Sequence, residues 1–135
     1  SKDFTSDDSL FQLQAKIIRD LANHTSCVII GKCANKILER WKNVVSVYVE
    51  APRAYCEQSI MKALGVDRAA AARMIAKTDK YRADYYRYYT GGDYWTNPVS
   101  YDLTLNSARI GRENCVRLIS DYIKLKFEDG AREPS

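Results

Sequence analysis

Three short runs of apolar and β-branched residues, each followed by a turn and a helical pattern, restrict this chain to a small set of folds. Cys27-Val28-Ile29-Ile30 is wholly apolar and ends at Gly31. Val44-Val45-Ser46-Val47-Tyr48-Val49 ends at Ala51-Pro52, and residues 101–106 form the third run. Such runs suit strands, and a run without polar alternation suits a strand covered on both faces. Helical patterns separate them. Leu10, Leu13, Ile17, Ile18 and Leu21 recur at helical spacing, predicting an amphipathic helix over 9–23 capped by Asp7, Asp8 or Ser9. A short helix is expected over 34–40, and a longer one from Pro52 to a stop at Gly65. Asp67 can cap the next helix, which runs through four alanines towards Tyr89 and breaks at Thr90-Gly91-Gly92. Residues 110–127 form the closing helix, with Val116, Ile119, Ile123 and Phe127 on one face, and 128–135 read as a frayed tail. Strands alternating with helices imply an α/β fold with a parallel sheet, in one domain over 1–135.

The composition is that of a globular protein, with 46% hydrophobic and 28% charged residues. No apolar run approaches the ~20 residues that span a bilayer, so no membrane partner is expected. The start is polar and acidic rather than a secretory signal, which points to the cytoplasm. Cys27, Cys33, Cys56 and Cys115 form no Cys-x-x-Cys pair, and His24 is the single histidine. No zinc set of ordinary spacing results, and the thiols read as mostly buried and reduced. The net charge of +4 is a mild bias towards anionic ligands and argues against nucleic acid as the main partner. The charge is uneven, however. Arg68, Arg73, Lys77, Lys80, Arg82 and Arg87 crowd one stretch, against Asp67, Asp79 and Asp84.

Three stretches carry a family resemblance. They are Cys27-Val28-Ile29-Ile30-Gly31-Lys32-Cys33-Ala34, then the basic, tyrosine-rich run from Lys77-Thr78-Asp79-Lys80-Tyr81-Arg82 to Thr90-Gly91, then Tyr101-Asp102-Leu103-Thr104-Leu105-Asn106-Ser107 leading to Gly111. Together they resemble the cytidylate-kinase-like branch of the nucleoside monophosphate kinases, in order and spacing from about Phe11 to Phe127. The resemblance implies a P-loop-kinase-like three-layer sandwich and ATP-dependent phosphoryl transfer to CMP or a related nucleotide, with Mg2+ bridging the ATP phosphates.

It also implies where chemistry would sit. Phosphoryl transfer asks the protein for positioning and positive charge more than for covalent help. By matching position, Lys77, Lys80 and Arg82 would stabilise phosphate charge within a lid-like segment over 68–97, and Asp79 would orient one of these cations. The family's lid bends, which would gather charges that a straight helix spreads out. Helical spacing puts Arg73, Lys77, Lys80, Asp84 and Arg87 on one face and Arg82 elsewhere. Gly31 and Lys32 would meet the acceptor nucleotide, where the family has arginine in place of Lys32. Tyr85 or Tyr86 would meet a nucleotide while most neighbouring tyrosines pack. Asn106 and Arg109 would lie near the ATP base, and Asp102 reads as a strand-start turn residue.

One part of the pattern is lacking. A phosphate cradle needs G-x-x-x-x-G-K-[ST]. At Gly31-Lys32, Cys33 fills the Ser/Thr position and Ser26 the place of the first glycine. In the family the P-loop strand and helix lie upstream of everything matched here, and that strand joins the two halves of the sheet. The expectations are that the 27–30 and 44–49 strands pair directly, that copies associate or exchange strands, or that an upstream segment exists. The alternative to an inactive kinase portion is a non-catalytic module binding nucleotides or, through cations and stacked tyrosines, single-stranded nucleic acid.

Overall fold

The computed structural model describes residues 8–128. Its first element is α1 (Asp8–His24), then a short α2 (Ala34–Ile37), strand β1 (Val47–Glu50), α3 (Arg53–Leu64) and the long α4 (Arg68–Thr90). A 3-10 turn at Pro98–Ser100 leads to β2 (Leu103–Asn106), α5 (Ser107–Ile110) and α6 (Arg112–Glu128). The predicted frayed tail lies outside the described residues beyond Glu128.

β1 and β2 pair in parallel, with Val47 opposite Leu103 and Glu50 opposite Asn106. The crossover between them runs through α3 and α4, as a parallel connection requires. The result is a mixed helix–strand fold around a two-stranded parallel sheet. At the amino end of the strands, Asp102 accepts the Ser46 amide at 3.0 Å and pairs with Lys126 of α6 at 3.5 Å. Lys126 also donates to the Val44 carbonyl. Asp102 is thus the strand-start residue that the sequence suggests.

Local chemistry sets most boundaries. Asp67 accepts the Ala70 amide at 2.8 Å and starts α4. Gly65 and Gly91 end α3 and α4 in the left-handed conformation, at φ 67° and 73°. Asn106 accepts the amides of Ala108 and Arg109, both at 3.1 Å, so the expected exit loop is a single capped helical turn. Gly111, at φ 87°, separates it from α6, so the closing helix begins at Arg112 rather than Ile110.

Two expectations fail. Residues 27–30 do not form a strand, nor do they pair with β1: they run without a ladder, and Val28 and Ile30 are 90% and 87% exposed. Only Ile29 of that run packs inward, against a small cluster of Ile18, Ala34 and Leu38. A strand exists only with a neighbour to hydrogen-bond, and this segment has none among the described residues. The expected lid bend is also absent. α4 is one uninterrupted helix of 23 residues, because neither Gly nor Pro interrupts it before Gly91.

Candidate functional site

The carboxyl ends of β1 and β2 lie side by side at Glu50 and Asn106. In parallel sheets this end is where chain turns and helix starts leave room for ligands. Ser107 Oγ donates to the Glu50 carbonyl at 3.3 Å and binds the two exits together. After β1, Ala51-Pro52 turns the chain directly into α3, which begins at Arg53.

α4 divides the predicted lid residues between two faces. Ala71, Ile75, Asp79, Arg82 and Tyr86 follow helical spacing along the side towards the body, and Ala71 and Tyr86 are buried. Lys77 and Lys80 point away and are exposed, and Lys80 pairs with Asp84 at 3.0 Å. The structure therefore brings Asp79 and Arg82 to the sheet corner and leaves Lys77 and Lys80 on the outer surface. Asp79 lies 3.9 Å from the Arg82 guanidinium and 4.0 Å from that of Arg53. Arg53 joins this corner from another helix, and the sequence reading passed over it. A cation in the first helical turn after a parallel strand was the available signal.

Tyr48 of β1 completes the corner. Its ring stacks on Tyr101, centroids 5.4 Å apart, and meets Trp95 edge-on at 6.4 Å. Burial, then the Glu50 and Asp79 carboxylates, push its phenol above the ordinary value, with Arg82 opposing. The hydroxyl accordingly stays protonated and able to donate.

Gly31, Lys32 and Cys33 form three consecutive left-handed residues, at φ 71°, 59° and 59°. Two of them are not glycine, which costs about 1–2 kcal/mol each. Lys32 is exposed, whereas Cys33 is buried and its thiol is pushed up to about 11 by burial, the Lys32 ammonium opposing. Cys33 is therefore a neutral packing thiol, not a nucleophile. Among the other cysteines, Cys115 is buried, Cys56 half-buried and Cys27 exposed, all as free thiols.

The two tyrosines singled out by the sequence make contacts within the protein. Tyr86 is 4% exposed and accepts the Asn35 amide at 3.0 Å, linking α4 to α2. Tyr85 donates to Gln14 of α1 at 3.3 Å, in a ring cluster where Phe11 stacks on Tyr89 at 3.9 Å.

Asn106 is engaged in capping, and Arg109 lines an open concavity of about 490 Å³ with Asn114, Arg117 and Asp121. A smaller cavity of about 240 Å³ lies at the opposite, amino end of the strands, beside Asp102 and Lys126. Neither coincides with the Asp79 corner. This sequence contains no G-x-x-x-x-G-K-[ST] cradle to hold the ATP phosphates.

Comparison with known proteins adds the family. The model of the cytidylate kinase-like family matches residues 1–109. A solved structure, that of an uncharacterised protein from Eubacterium ventriosum, superposes with a TM-score of 0.75 at 27% identity, over 84% of this chain. This chain spans 64% of that protein's length. No curated protein matches.

Proposed function

Because this chain belongs to the cytidylate kinase-like family, we propose that it binds the phosphate-accepting nucleotide, CMP or a relative, at the carboxyl end of the β1–β2 pair. One observation supports the reading beyond family membership. Of the charged lid residues, Asp79 and Arg82 share the α4 face towards that end and meet there with Arg53, leaving two solvent-accessible guanidiniums where a nucleotide phosphate would need a cation. Arg82 binds the phosphate, Lys32 supplies a second exposed cation after the 27–30 segment, and the outer Lys77 and Lys80 draw the anion in at longer range. The reaction class is phosphoryl transfer, in which such residues hold the acceptor and balance its charge.

Titration with CMP, followed by the fluorescence of Trp41 and Trp95, tests this. Binding is expected, weakened about tenfold in Arg82→Ala, the usual scale for one charged hydrogen bond. A second reading draws on the outer face of α4, where Lys77, Arg73 and Arg87 stand beside exposed Tyr81 and Tyr88. This face suits single-stranded nucleic acid. Oligonucleotide binding that falls steeply with salt, without CMP binding, would favour it over the first.

A further inference from the structure

We propose that Arg53 and Arg82 form a two-armed site for a phosphoryl group, and that Asp79 is the internal counter-ion which the phosphoryl group replaces. The proposal rests on the nucleotide-binding reading and adds to it a residue from a different helix and an exchange of partners.

The geometry carries it. Arg53 opens α3, immediately after the Ala51-Pro52 turn from β1, and Arg82 lies in the second half of α4. They are 29 positions apart in sequence, yet both guanidiniums reach the same carboxylate, one to each oxygen. The separations of 4.0 and 3.9 Å are too long for hydrogen bonds. Arg53 is 54% and Arg82 61% exposed at the side chain, so solvent screens each pair and neither is strong. Neither arginine is thereby committed to Asp79. A phosphoryl group offers oxygens that guanidiniums meet in pairs at about 2.8 Å, with charge on both partners. Exchanging Asp79 for a phosphate replaces two loose contacts with close ones.

Charge decides how the exchange responds to mutation. Two guanidiniums face the single Asp79 carboxylate, at 4.0 and 3.9 Å. Neutralising Asp79 makes the corner more positive. An Asp79 that served the ligand directly, or that held the fold together, would give the opposite response.

The test uses the whole chain, with inorganic phosphate followed by ³¹P NMR and CMP followed by calorimetry. Arg53→Ala should weaken both ligands about tenfold, and Arg53→Lys should recover only part, since lysine lacks the paired geometry. Asp79→Asn should tighten both several-fold. Circular dichroism checks that helix content is unchanged. CMP binding indifferent to Arg53→Ala, or weakened by Asp79→Asn, overturns this proposal and leaves the nucleotide reading standing. Phosphate binding with the expected pattern but no CMP binding overturns the nucleotide reading alone. Binding of neither ligand overturns both.

Discussion

Cys33 combines a left-handed backbone, at φ 59°, with a thiol that is 5% exposed. Its ionisation is pushed from 9.0 to about 11, mainly by burial. A raised value in the folded state means that its contribution is full below pH 9 and is lost as pH rises towards 11. Tyr101 acts in the same direction, its phenol moved from 10.0 to about 12 by burial, then by neighbouring Tyr86 and Tyr48. Stability should therefore fall between pH 9 and 12. Urea unfolding at pH 7.5 and 10.5 should show a drop to which Cys33 contributes about 2 kcal/mol, and Cys33→Ala should shrink it by that part. An equal drop in the variant would show that the thiol is not responsible. At this scale the sequence already separated Arg82 from the face of Lys77 and Lys80, because helical spacing is a local rule. The position of Arg53 after a strand was a local signal, but its meeting with Asp79 was illegible, because that depends on how α3 packs on α4.

Elements were legible wherever their ends are governed by neighbours in sequence. Asp67, Gly65 and Gly91 mark the limits of α3 and α4 by capping alone. Asp67→Ala should lower stability by about 1 kcal/mol, the usual cost of losing such a cap, read from the thermal midpoint. No change would mean that tertiary packing, not the cap, holds the first turn of α4. The 27–30 segment shows the limit of this kind of reading. Its composition is that of a buried strand, but pairing is supplied by another part of a sheet, and composition cannot supply the partner. The closing helix is a smaller case, since Asn106 caps a turn and Gly111 breaks it before α6 starts.

Across the whole molecule, the core is smaller than the apolar pattern promises. Of the predicted stripe on α1, Ile18 is buried but Leu10, Leu13, Ile17 and Leu21 are exposed, and on α6 Ile119 is half-buried while Val116, Ile123 and Phe127 are exposed. Two four-residue strands offer too little sheet surface to cover both helices. Contiguous apolar faces of this kind bind hydrophobic dyes. Anilinonaphthalene sulfonate should fluoresce strongly with the native protein, and the double variant Leu13→Asp, Ile17→Asp should reduce that signal while keeping helix content. Unchanged fluorescence would place the dye elsewhere. Helical periodicity reported these stripes correctly as apolar, and only the packing reveals that they are uncovered.

The continuity of α4 has a mechanical consequence. Twenty-three residues make a rod about 34 Å long, with Gly91 and Gly92 at one end as a ready pivot. A rod of that length tilting by only about 5° carries its far end about 3 Å, and Arg82 and Asp79 travel together by a fixed fraction of that arc. A tilt of the helix would thus be a lever's stroke that carries both residues on one rod and changes their distance from Arg53.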